Sequence, residues 1–241
     1  MILGMTIGFW FIGYVALTAA LIAALLLRYL PVKVSFLVLA GLGAWLVYAG
    51  VLGYLGVIGN PTMRPPGPVF LVIPVFLFII LFLVRSESAG RVSLSVPLSL
   101  LIGTQVFRIG VELFLHQLWL VGLAPRMLTF EGANFDIVIG LSAPVVAWLY
   151  ARGRLGERQV LAWNILGILM LANIAIRAVL TAPGLLHLIA TEVPNRAFGT
   201  FPFMYIPGFM APLALILHVL AIRALRTRLR SKEAQLCQAD A

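Results

Sequence analysis

Gln105, Arg108, Glu112 and His116 recur every three or four residues inside the stretch Leu94 to Gly122, which is otherwise strongly apolar. At about 100° per residue these four share one narrow sector of a helix, so a single polar face runs along an element whose other sides are oily. The chemistry open to such a face is that of an acid, a base and a permanent cation. It can form an ion pair, a titratable carboxyl switch, an anion clamp, or part of a metal site.

The composition says where this face must sit. Of the 241 residues 62% are hydrophobic and only 10% charged, against roughly 45–50% and about 25% in soluble domains. Mean hydropathy is +1.09. The expectation is an all-α polytopic membrane protein, with room for seven spans of about 20 residues and no second folded domain. Residues 1–226 are read as a seven-helix membrane domain and 227–241 as a basic cytoplasmic tail. The first apolar run, Ile7 to Leu27, lacks the basic start and small-residue cleavage site of a signal peptide and reads as a retained helix. The one cysteine, Cys237, excludes an internal disulfide and a CxxC haem attachment.

Six more spans follow in this reading. The second, from Val34 to about Ile58, is rich in glycine, which favours close helix packing. The third, about Val69 to Val84, is short and carries Pro74, which frees a backbone carbonyl. The fourth holds the polar face, with Pro97 in its first turn. The fifth starts near Phe135, with Asn134 as a candidate cap and Asp136 placed to suit the helix dipole. The sixth runs from about Val160 to Thr181 and contains Asn164, Asn173 and Arg177. The seventh begins near Phe203, with Pro207, Gly208 and Pro212 in its outer half and His218 deeper.

The net charge of +9 does not point to nucleic acid, because the basic residues alternate between the two sides. One set of loops and the tail holds twelve (Arg28, Lys33, Arg85, Arg91, Arg152, Arg154, Arg158, Arg223, Arg226, Arg228, Arg230, Lys232), the other three (Arg64, Arg126, Arg196). The positive-inside rule then puts the N-terminus outside and the C-terminus in the cytoplasm, with the tail lying against anionic lipid.

With every span centred in the bilayer, Arg108 falls near the midplane, Glu112 about 6 Å and His116 about 12 Å towards the outside. Asn173, Arg177 and Asp136 come out about 3, 9 and 11 Å outward. A lone charge at a span centre costs roughly 2.5–3.5 kcal/mol, so the group is expected to pair around a polar cavity. Arg108, Glu112, His116, Asp136, Asn173 and Arg177 are the candidate ligand-binding residues, with the two arginines as an anion clamp and Glu112 as the switch. An ion pair between Glu112 and Arg177 is expected, since an Arg four residues before a Glu is the weaker helical order. His218 and Asn164 share an inner depth and can bond to each other.

Other chemistries are weaker. A zinc site on Glu112 and His116 needs a third ligand, such as His187 or Asp136, and nothing in the sequence fixes which. His116 and His218 lie too far apart in depth to share a haem iron. A retinal Schiff base needs a lysine in the last span, and the lysines are Lys33 and Lys232. The paired histidines of ceramidase-type zinc hydrolases are absent.

The segments Pro125–Asp136 (PRMLTFEGANFD) and Thr200–Pro212 (TFPFMYIPGFMAP) resemble an uncharacterised family of bacterial multi-pass inner-membrane proteins, over roughly the part after Ser93. The resemblance implies a bacterial inner-membrane location and nothing beyond it. The function expected is a membrane protein whose outward-facing pocket binds, senses or transports a small polar or anionic molecule. No cofactor and no nucleic acid are expected, and the partners are lipid and a possible second membrane subunit. The alternatives are an intramembrane metal-dependent enzyme and a structural or assembly subunit of a membrane complex.

Overall fold

A computed structural model of the chain describes residues 2–239. It is helical, with no strand among the described residues. The side chains of Lys232 and Cys237 lie outside the described residues, although the helix they belong to does not. In order, α1 is Ile2–Tyr29, α2 Val32–Tyr54 and α3 Val69–Phe78, which runs on as a π-helix over Ile79–Val84. The short α4, Glu87–Ser95, and α5, Leu98–Gly103, come next. A 3-10 turn, Thr104–Val106, joins α5 to α6, Phe107–Leu120. Then follow α7, Asp136–Ala151, α8, Glu157–Leu180, a second π-helical segment, Ile206–Met210, and α9, Ala211–Ala239.

The expected seven spans are not supported. Among the described residues five helices are long and apolar enough to cross a membrane, or six if one bent pair counts as a single span. The reason is length. The 16 residues of α7 reach about 24 Å, short of the roughly 30 Å of hydrocarbon. The α3 segment breaks after Val84, and α4 leaves it at 80°. Ser86 caps α4 by accepting from the Ala89 N–H at 3.4 Å. Pro97 then stops it by forcing Val96 into extended backbone. Pro97 therefore stands at the N-cap of α5 and not in its first turn.

The spans divide into a buried centre and an outer pair. In the most apolar window of Leu98–Leu120 and of Ile206–Ser231, 56% and 61% of residues are buried, against 17% in α1 and in α2. Leu98, Ile102, Leu115 and Leu118 from the α5–α6 span pack with Met210, Ala214 and Leu217 of the last span. Phe9, Trp10, Phe36 and Leu37 on the outer pair stay exposed, as lipid-facing groups do.

The broken spans have a common remedy. A proline in a helix leaves the carbonyl four residues earlier without its N–H. Pro212 frees Gly208 O, which accepts from Trp45 Nε1 at 2.7 Å, and Pro74 frees Phe70 O, which accepts from the Tyr48 hydroxyl at 3.2 Å. Both donors lie on α2. Tyr205 returns the favour with a 2.9 Å bond to Leu46 O. The glycines of α2 serve this contact unevenly: a methyl on Gly50 would meet the Tyr205 hydroxyl and one on Gly53 the Met204 side chain, whereas Gly41 and Gly43 have nothing within 4 Å.

Candidate functional site

The polar face of α6 docks against the starts and middles of three other helices. Arg108, in its first turn, is only 3% exposed. Its Nη2 forms an ion pair with Asp136 Oδ1 at the start of α7, and its Nη1 donates to His218 Nε2 of α9 at 3.0 Å. Nη2 and Oδ1 have each other and no further hydrogen-bond partner. A guanidinium can only donate, so His218 Nε2 accepts, and the ring proton sits on Nδ1. That N–H donates to Asn164 Oδ1 of α8 at 2.9 Å, and the Asn164 amide donates to Val160 O at 2.9 Å. One unbroken chain of polar contacts thus ties α7, α6, α9 and α8 together through the apolar core.

His218 has its place because Gly167 of α8 has no side chain there. A methyl on Gly167 would fall on the His218 ring. Similarly, Gly110 leaves room for the Tyr14 ring, whose hydroxyl donates to Phe107 O beside the 3-10 break.

Glu112, one turn further along α6 than Arg108, is 2% exposed. Its Oε1 accepts from the Asn134 amide at 2.6 Å, and its Oε2 has no partner. Asn134 is held in turn. The same amide nitrogen donates to Leu128 O at 3.1 Å, and its Oδ1 accepts from the Asp136 N–H at 3.0 Å. So Asn134 serves the start of α7 from just outside the helix, the N-cap position itself being Phe135. Gln105, on the turn before Arg108, donates to Ala214 O at 3.0 Å and keeps an unpartnered Oε1.

The expected Glu112–Arg177 pair does not form. Arg177 Nε donates instead to Asn173 Oδ1 on its own helix at 2.9 Å, and Asn173 Nδ2 donates to Ala133 O at 2.7 Å. Asn173 and Arg177 therefore brace the loop behind Asn134 and do not reach the carboxyl. His116 also leaves the group: its Nδ1 faces Glu131 Oε1 at 3.7 Å and its ring stacks on Phe130 with centroids 5.0 Å apart. Of the six candidate residues, Arg108 and Asp136 pair and Glu112 is linked to them through Asn134, while Asn173, Arg177 and His116 stand in a surrounding layer.

Depth explains the errors. Centring each span put Asp136 well outside Arg108 and His218 well inside it, yet Arg108 holds both. The start of α7 and the middle of α9 therefore meet α6 at one level, which centring each apolar run separately does not allow for. The His218–Asn164 bond follows from their shared depth as expected. The Arg108–His218 contact and the part of Asn134 do not.

Among the described residues no three His, Cys, Asp or Glu side chains come together in a way that could hold a metal ion. A cavity of about 40 Å³ lies elsewhere, between the loop around Asn60 to Pro68 and the loop around Ala182 to Leu186.

A family model matches residues 65–226, from the loop before α3 into α9. The chain belongs to the family described as domain of unknown function (DUF8737). The DUF8737 region is wider than the resemblance after Ser93, and it contains every residue of the polar chain while leaving out α1 and α2. Trp45 and Tyr48, which hold the proline-freed carbonyls, thus lie outside the DUF8737 match although their acceptors lie within it. No curated protein and no solved structure matches the chain.

Proposed function

We propose that this is an integral protein of a bacterial inner membrane, N-terminus outside and C-terminus cytoplasmic, whose polar centre in the outer half of the bilayer binds a small polar solute for transport or sensing. The observation that carries this reading is Glu112, a carboxyl group 2% exposed with one oxygen left unpartnered in the midst of an apolar bundle. An open hydrogen-bonding position on a buried ionisable group is costly unless something occupies it. The arginines are less suited to that role than the carboxyl, because Arg108 is engaged by Asp136 and His218, and Arg177 by Asn173.

The test is a thermal-unfolding screen of the purified full chain against amino acids, sugars, amines, carboxylates and simple salts. A solute that raises the Tm of the wild type and not of Glu112→Gln supports the reading. Orientation is tested on intact cells and on opened ones. Cys237 should react with a membrane-impermeant maleimide only after the cytoplasmic face is opened, and labelling from outside would reverse the topology.

One observation favours a second reading, a structural or assembly subunit: the contacts from Asp136 through Arg108 and His218 to Asn164 join four helices, as interhelical polar bonds do when they only hold a bundle in register. Under this reading no solute shifts the Tm, and Glu112→Gln leaves it unchanged.

A further inference from the structure

The balance of charge at the polar centre decides what kind of solute it can take. Arg108 supplies one permanent positive charge. Asp136 pairs with it, and His218, which accepts from the guanidinium through Nε2 and donates through Nδ1, stands as a neutral ring. The carboxyl of Glu112 is then left over.

The groups that face Glu112 from each neighbouring element do not supply the missing charge. On its own helix Arg108 is spoken for, and His116 is turned to Glu131. From the start of α7 come a second carboxyl, Asp136, and the neutral Asn134 amide. On α8 Arg177 is bound to Asn173, and on α9 His218 is bound to Arg108. Among the described residues no guanidinium or ammonium group forms an ion pair with Glu112. An ionised carboxylate left alone in a low-dielectric interior is among the least favourable arrangements a protein can hold.

We infer that Glu112 Oε2 is the seat of one exchangeable positive charge, so that the solute of this centre is a cation, a proton or a monovalent ion, and not an anion. This rests on the solute-binding reading above and narrows it. Gln105 Oε1 is a second buried oxygen without a partner, about 10 Å further along the same helix face, and it too is an acceptor suited to a cation or a water that carries one. A divalent metal does not fit, because no three-ligand group is assembled among the described residues.

The experiment compares the purified full chain with Glu112→Gln, which keeps an oxygen for the Asn134 amide and removes the charge. Two arms separate the sources. In the infrared, a proton on Glu112 gives a carboxylic-acid C=O stretch that disappears in Glu112→Gln. In thermal melts at fixed pH and ionic strength, a bound ion raises the wild-type Tm by on the order of 5 °C when N-methylglucamine chloride is exchanged for sodium, potassium or ammonium chloride. Glu112→Gln abolishes that rise. Either result supports the inference.

Should Glu112→Gln fail to fold, Asp136→Asn gives an independent reading. It leaves one carboxyl for one guanidinium, so the acid band or the salt response should vanish with Glu112 still present. Ionised carboxylates with no cation response, or an acid band unchanged in these variants, overturn the inference. Stabilisation by phosphate or acetate overturns it while leaving solute binding intact. A chain that shows neither the acid band nor a response to a solute of any charge removes both.

Discussion

Arg108→Met is the most informative single change, because it deletes a charge on which several helices converge while keeping most of the apolar stem. The Arg108 and Asp136 side chains are 3% and 8% exposed, so solvent cannot take over for the lost partner. Removing one member of a buried pair costs about 3–5 kcal/mol, since the other stays buried and uncompensated. His218 Nε2 also loses its donor, adding about 1–3 kcal/mol. The expected loss is therefore about 4–8 kcal/mol, enough to unfold many single domains outright.

The stronger statement concerns the double variant. Arg108→Met with Asp136→Asn carries neither charge, so its main defect is the unsatisfied His218 nitrogen, and it should recover at least about 2 kcal/mol of the single-variant loss. Reversible unfolding of all four proteins in mixed detergent micelles, followed by circular dichroism and tryptophan fluorescence, closes the cycle. If the two single losses simply add in the double variant, the buried pair is not the energetic unit described here and the reasoning fails.

Four further outcomes follow from particular contacts. Trp45→Phe strips Gly208 O of its donor and should destabilise the chain by about 1–3 kcal/mol, read as a lowered Tm. Gly167→Ala pushes a methyl into the His218 ring and should cost about 1–3 kcal/mol. Gly41→Ala, with nothing within 4 Å, should instead stay within about 1 kcal/mol of wild type and lean towards stabilisation, and equal losses in the two alanine variants would refute the packing argument. His116→Ala should leave the infrared and thermal responses assigned to Glu112 intact, because His116 faces Glu131 and Phe130. Loss of those responses would return His116 to the centre.

Much of the site was legible, but only in part for the right reason. The spacing of Gln105, Arg108 and Glu112 identified the polar face, and all three are buried there. His116 shares the spacing and not the environment, because it lies at the end of the helix where a loop glutamate and an aromatic ring compete for it. Arg177 was matched to Glu112 on depth and opposite charge. A nearer amide four residues away on its own helix satisfied it at less cost in side-chain ordering. Asn134 carried one usable signal, its place two residues before a helix-opening aspartate. Its amide reaching back to Glu112 could not be read from that.

Local patterns alone determined the helical class, the apolar character of the chain, the prolines that break its helices and the sector on which the ionisable groups lie, because these depend on periodicity and side-chain type within a few turns. Tertiary structure decided how many helices are long enough to cross, which carbonyls freed by proline find donors on α2, and which charge meets which. Those outcomes depend on the relative height and rotation of helices far apart in the chain. A shift of one helix along another, as where Asp136 at the start of α7 meets Arg108, changes every partnership without altering any local pattern.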